Sequence, residues 1–407
     1  MTTTKPGAGA IHAAATYLAV VQFFFAGCWI VYVIHLPGLL KTVGLDASLV
    51  IWFLMADQLV FALTDLAMGL WLDRIRGGLR RFGPVVLAMT AFSCLAFLLL
   101  PYVARSGGDT GRGVFIALLV VWTVTSSALR APPLALLGTY APAPALPWAL
   151  ALNFLGLALA GALSPYFGGA LKAMDPRLPF AVSSAALFAT TLGLVWIERA
   201  LAAAGPQAAE PKADAPRPRA APLFFAACAA LALGFQIHFF VNSAPRYLVF
   251  AKPADLDLLM PVFWIGFNFA MFPAATLAKR LGEMPVMAAA VAVGIAGILA
   301  TVLARDLTTL VVGQALAGAG WGATFVLFFA GATAYGRVGR EGRMLGALWA
   351  VVNVAVLARM ATGAAGLGKM PEYADILSWG PAVAWTVGLA LLLVVAWRWR
   401  GGARAPA

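Results

Sequence analysis

"TDLAMGLWLDRIRGGLRRFGP", residues 64–84, sets one acid, Asp65, inside an apolar run and then crowds Asp73, Arg74, Arg76, Arg80 and Arg81 together. The surrounding chain has 407 residues, is 62% hydrophobic and 11% charged, and has a mean hydropathy of +0.90. That is too apolar for the surface of a soluble domain. The charged run is therefore read as the place where an apolar span leaves a bilayer, and the same reading extends in both directions along the chain.

A helix needs roughly 20 apolar residues to cross the hydrocarbon core. Runs of that kind lie near 14–36, 50–72, 84–104, 114–138, 147–171, 178–198, 223–245, 257–278, 284–304, 307–335, 344–367 and 378–397. These twelve spans predict an all-α membrane protein. The runs are continuous, whereas a transmembrane barrel would alternate every second residue. The two longest runs, 114–138 and 307–335, are expected to tilt, kink or overhang the membrane.

Alternating the connections from a cytoplasmic N-terminus places most of the Lys and Arg on one side, among them Lys5, Arg74, Arg76, Arg80, Arg81, Lys279, Arg280, Arg340 and Arg343. That bias predicts both termini in the cytoplasm and the chain in a cytoplasmic (inner) membrane. The net charge of +12 then faces anionic headgroups, and no nucleic-acid partner is needed to explain it. The first apolar run is long enough to stay as a helix, so no cleavable leader is expected. Cys28, Cys94 and Cys228 fall inside spans and read as apolar packing residues.

The longest polar interruption, "RALAAAGPQAAEPKADAPRPRAAP" at 199–222, is too poor in apolar side chains to fold alone. It divides the chain into an N-terminal six-helix half (1–198) and a C-terminal six-helix half (223–407). "PAATLAKRLGEMP" (273–285), after span eight, weakly echoes the charged run after span two, as two pseudo-symmetric halves require. Two such halves joined by a linker suit a secondary transporter that rocks about a midplane site.

Gly69, Asp73-Arg74 and the Gly/Arg-rich turn holding Arg80 and Arg81 resemble the loop between helices two and three of the major facilitator superfamily. The resemblance implies a conformational latch at Gly69, Asp73 and Arg74, in which the loop aspartate caps a neighbouring helix and pairs with basic residues. A carboxylate at a helix N-terminus is favoured by the exposed N–H groups and the dipole. The bland alternative is a basic loop with one compensating acid.

A narrower resemblance, carried by 64–84 and by "ALRAPPLALLGTYAP" (128–142), is to the glycoside-pentoside-hexuronide cation symporters, the melibiose-permease branch. It implies that Asp65 enters a cation site. Two departures matter: that branch's other helix-two carboxylate falls on Phe61 and its helix-four carboxylate on Arg130, which puts sodium coupling in doubt. "GALSPYFGGAL" (161–171) is similar to a motif of proton-coupled antiporters, with Ser164 in place of its first glycine. Small residues there equally serve close helix packing.

Within the spans, the acids lying at depth are Asp57 and Asp65, and the bases are Arg130 and Arg359. Charges in hydrocarbon are costly and usually face a cavity or a partner. Counting ~1.5 Å per residue from the outer ends puts Asp65 and Arg130 at nearly one level, which predicts a salt bridge. Protonation of Asp65 would then free Arg130 for an anion, against the alternative of a static bridge. Pro132 and Pro133 should interrupt the helix beside Arg130.

Asp57, two turns above Asp65, reads either as an outer proton relay or as a wetted vestibule residue. Arg359 has no acid in a nearby span, so the substrate itself is its expected partner unless the side chain snorkels outward. Further candidate substrate ligands are Gln22, His238, Asn268, Trp321 (a wall or gate in a Gly-rich span) and Asn353. Gln236, His238 and Asn242 cannot all share one face. Trp264 and Trp349 read as core or lipid-facing.

No metal-ligand cluster, nucleophile elbow or phosphate loop is present in the sequence, so no cofactor and no enzymatic activity are expected. The expectation is a monomeric transporter of a small organic solute working by alternating access, most simply a proton-coupled symporter of an organic anion or a sugar-like molecule. A proton-coupled exporter of amphipathic compounds and a transporter-fold receptor that no longer transports remain as alternatives.

Overall fold

The computed structural model describes residues 8–74, 82–203, 220–336 and 339–400. Arg76, Arg80 and Arg81 of the charged run and most of the predicted linker lie outside them. Twelve helices are long and apolar enough to cross a membrane: α1 (Gly9–Thr42), α2 (Ala47–Arg74), α3 (Gly83–Val103), α4 (Gly108–Tyr140), α5 (Leu146–Ala173), α6 (Arg177–Leu201), α7 (Ala221–Tyr247), α8 (Pro253–Leu281), α9 (Glu283–Leu303), α10 (Leu307–Gly336), α11 (Glu341–Ala364) and α12 (Pro371–Trp397). Among the described residues there is no strand.

Packing follows a six-helix repeat. In the first half α1 lies against α5 and α6, and α3 against α4 and α6; in the second, α7 lies against α11 and α12, and α9 against α10 and α12. The halves meet along α2 with α11 and along α5 with α8, the two contacts that the same shift of six interchanges. The protein is thus an all-α membrane fold of two pseudo-symmetric six-helix halves. The end of the bundle where α6 leads to α7 is called the linker end below.

The break expected beside Pro132 and Pro133 is present, while the end of α6 and a turn in α7 depart from the sequence expectation. The helical run of α6 continues through Ala203, so the linker starts later than residue 199, as the Ala/Leu-rich stretch "RALAA" favours. Of the two long runs, α10 stays continuous from Leu307 to Gly336, whereas α4 stops at Ser126, passes through a 3₁₀ turn at Ser127–Leu129 and restarts at Ala131. The restart carries Pro132 and Pro133 in its first turn, where a missing N–H costs nothing. Finally, α7 contains a π turn at His238–Ser243.

Candidate functional site

A stripe spaced by four residues, Asp57, Phe61, Asp65, Gly69 and Asp73, runs down α2. Four residues advance a helix by about 40° more than a full turn, so the stripe rotates as it descends. Its outer part meets α1 and α4, its middle meets α4 and α11, and its linker end meets α11.

At the middle, Asp65 is 0% exposed. Its Oδ2 lies 3.3 Å from Arg130 Nε on α4 and accepts a 2.8 Å hydrogen bond from Asn353 Nδ2 on α11. Arg130 in turn donates from Nη2 to Asn353 Oδ1 at 2.7 Å. The three side chains close a triangle whose Asn353 corner belongs to the other half. Asp65 Oδ1 is buried and has no hydrogen-bond partner among the described residues.

Arg130 lies between two aromatic rings, its Cζ 4.7 Å from the centroid of Phe61 and 4.5 Å from that of Trp349. Such cation–π contacts strengthen when water is excluded, and only 11% of the Arg130 side chain is exposed. Phe61 precedes Asp65 by one turn, and Trp349 precedes Asn353 by one turn. Each helix therefore supplies a polar group and an aromatic platform from one face. Trp349 is buried in the core, one of its two sequence readings, and there its ring faces Arg130.

The broken α4 exposes backbone as the prolines require. Pro133 has no N–H to give the Leu129 carbonyl, and Gln22 Nε2 of α1 fills that place at 2.6 Å. Gln22 thus spends its amide donor on the helix break. Asp57, at 7% exposed, is not the wetted residue of one sequence reading. Its Oδ2 accepts from the Tyr32 hydroxyl at 2.7 Å and its Oδ1 from Thr123 Oγ1 at 2.8 Å. Tyr32, Trp29, Trp122 and Phe61 form an aromatic cluster around this second acid.

At the linker end Asp73 caps α11: Oδ1 accepts from Gly342 N and Oδ2 from Arg343 N, both at 2.9 Å. A Cβ on Gly69 would collide with the Gly342 carbonyl, and one on Gly346 with the Asp65 carbonyl. Small residues at these places let α2 and α11 close backbone to backbone. Arg74 is exposed to the outside of this contact. A comparable cap that the sequence reading missed joins Glu198 Oε2 of α6 to Gly83 N of α3 at 2.7 Å.

The other sequence candidates lie elsewhere. Arg359 follows Asn353 by six residues, about 9 Å of rise, and turns to α7, with its Cζ 4.9 Å from the Phe240 ring. Its Nε is buried and has no hydrogen-bond partner among the described residues. Trp321 is buried inside the second half, stacked on Phe235 at 4.6 Å, beside Trp385, with Phe325 5.4 Å away. The glycines around it do not loosen α10: Gly318 and Gly322 press on the Phe263 and Phe267 carbonyls of α8.

His238 is buried in the π turn, where Ser243 Oγ donates to its carbonyl at 3.0 Å and Gln314 Nε2 donates to Ser243 Oγ at 2.9 Å. Asn242 donates to the Leu377 carbonyl of α12, and Asn268 to the Trp264 carbonyl of its own helix. In the antiporter-like stretch, Gly161 packs on Trp264, but Gly168 and Gly169 have open space around them. Among the described residues no three His, Cys, Asp or Glu side chains converge to hold a metal ion.

Comparison with known proteins places this geometry. No curated protein matches the sequence. Among solved structures, a bacterial homologue of the iron transporter ferroportin in its outward-facing state is similar at a TM-score of 0.73 and 13% identity, over 95% of this chain and 100% of that one. The human organic anion transporter MFSD10 is similar at 0.70 and 13%, over 97% and 100%. The Escherichia coli fucose:proton symporter FucP is similar at 0.64 and 13%, over 94% and 98%. The family model described as Major Facilitator Superfamily matches residues 18–360. A twelve-helix fold of two halves and a family match over most of its length together make this chain a transporter, not an enzyme, and a member of the major facilitator superfamily.

Proposed function

We propose that the protein is a proton-coupled symporter of an organic anion, with Asp65 as the coupling carboxylate and Arg130 as the anion-binding cation. The observation that carries the reading is the Asp65–Arg130 pair with Asp65 Oδ1 left unpartnered. A proton arriving on Oδ1 breaks no hydrogen bond, yet it removes the charge that holds Arg130. The freed guanidinium then takes an anion, and the loaded site carries one proton and one substrate.

Asn353 ties this event to the rocking of the halves, 1–198 against 223–407 about the 199–222 linker, because its two hydrogen bonds cross between them. Asp57 is the second acid of the stripe. Both its oxygens are held by hydroxyl donors and the Phe61 ring intervenes, so it supports the site from the outer side. Gly69 and Asp73 form the latch that keeps the linker end closed. With that end in the cytoplasm of an inner membrane, as the basic bias suggests, the arrangement is closed to the inside.

The likeness to an organic anion transporter agrees with this reading. The likeness to a fucose:proton symporter, and the melibiose-permease-like stretch, favour a sugar-like solute as the second reading. In that reading Asn353 and Arg130 bind hydroxyl groups.

Ligand-induced thermal stabilisation of purified protein separates the two, because binding raises the melting point by mass action. Carboxylates, sugars and hydrophobic cations are compared at acidic and neutral pH. Linkage is reciprocal, so an anion that strengthens proton binding must itself bind more tightly in acid. The expected result is carboxylate stabilisation that grows in acid for the wild type and loses its pH dependence in Asp65→Asn. Stabilisation by sugars alone would overturn the anion reading, and by hydrophobic cations alone would favour an exporter.

A further inference from the structure

Trp349 offers a group that the triangle does not use. Its indole Nε1 is buried and has no acceptor among the described residues, while its ring lies 4.5 Å from Arg130 Cζ. An orphaned buried donor is uncommon and calls for a partner.

Around the same ring, the contact between the halves is aromatic. Phe154 of α5 lies 4.9 Å from Phe325, 4.8 Å from Phe329 and 6.3 Å from Trp349, and Phe329 lies 4.9 Å from Trp349. Phe154 belongs to the first half and the other three rings to the second. When the halves part, these faces lose one another. A small hydrated acid would leave them wet, whereas an apolar body keeps them covered. Arg130 is the cation that the described residues place here, so a second negative charge finds no partner.

We infer that the substrate is an amphipathic monoanion, its acid group held by Arg130 and the Trp349 indole N–H and its apolar body by Phe154, Phe325 and Phe329. The inference rests on the proton–anion reading and names the class of anion. Nothing in it requires Arg359.

The test measures binding of phenylacetate, hexanoate, acetate, lactate, succinate and the neutral isostere phenylacetamide to purified full-length protein at acidic pH. Phenylacetate and hexanoate should bind at least about tenfold more tightly than acetate or lactate, with succinate and phenylacetamide weaker still. Trp349→Phe keeps an aromatic face for Arg130 and removes the donor, so it should weaken phenylacetate about tenfold, the size of one charge-assisted hydrogen bond. Phe154→Leu should narrow the preference for phenylacetate over acetate.

Arg130-dependent binding of acetate, lactate or succinate as tight as that of phenylacetate would overturn this inference and leave the anion reading standing. Phenylacetate binding unchanged by Trp349→Phe would remove the indole from the site. Failure of every acid to bind would overturn both readings.

Discussion

α4 and α10 occupy equivalent positions in the two halves, yet they are built on opposite plans. α4 is interrupted at Ser127–Leu129, carries Arg130 at the break and touches α2 through charges and hydroxyls. α10 is one unbroken helix whose glycines press on α8 and α9 backbone. Of its most apolar stretch 83% is buried against protein, compared with 50% in α4. Under the proposed mechanism the difference separates two tasks: the first half holds the groups that would change charge, and the second supplies the body against which that change acts. Asn353, on α11, is where the second body touches the chemistry.

The comparison breaks most severely at Arg130. Arg130→Gln leaves Asp65 buried without a counter-charge, and losing one partner of a buried pair costs about 3–5 kcal/mol. Transport should vanish and the melting temperature fall, while the double variant Arg130→Gln/Asp65→Asn recovers stability without transport; a thermal melt of both checks this. In α10 the expected damage is mechanical. Gly318→Val drives a Cβ into the Phe263 carbonyl, with an overpacking cost of about 1–3 kcal/mol. Its signature is lost stability without a change in pH dependence.

Smaller effects sharpen the picture. Asn353→Ala removes its own two hydrogen bonds across the halves, and at about 1–3 kcal/mol it should permit exchange while weakening coupled accumulation, as read by counterflow against gradient-driven uptake. Asp73→Ala uncaps α11 at a cost of about 0.5–2 kcal/mol. Spin-label distances between α2 and α11 at the linker end should broaden.

Least of all should come from the connection between α5 and α6, where Asp175 accepts hydrogen bonds from Arg177 and Arg105. The Arg177 hydrogen bonds, with Arg105 adding to them, hold its carboxyl well below the usual carboxylate range. A depressed carboxylate contributes above its unfolded pKa and is lost only as pH falls through the folded value. Asp175→Asn should therefore leave the pH profile of transport unchanged from mildly acidic pH upward.

Much of this was legible in the sequence. Apolar run lengths expose the twelve spans, and depth counting brings Asp65 and Arg130 to one level because both helices enter from the same side. The paired prolines announce the break in α4. What a single helix cannot reveal is which neighbour its face meets. Asn353 and Trp349 lie far from Arg130 in the chain, so their convergence depends on α2 packing against α11, although their four-residue spacing matched that of Phe61 and Asp65. For the same reason the sequence could not show that Arg359 lies against Phe240 of α7. The α10 glycines were ambiguous because small residues serve equally to loosen a helix and to bring another close.

Infrared difference spectroscopy on reconstituted protein tests the central claim most directly. Isotopically labelled phenylacetate is added, so that its own carboxyl absorbs away from those of the protein. The account predicts that a protonated-carboxyl band grows on binding in the wild type and is missing in Asp65→Asn. Binding without any such band, or with the same band in Asp65→Asn, would contradict proton transfer to Asp65 as the event that frees Arg130.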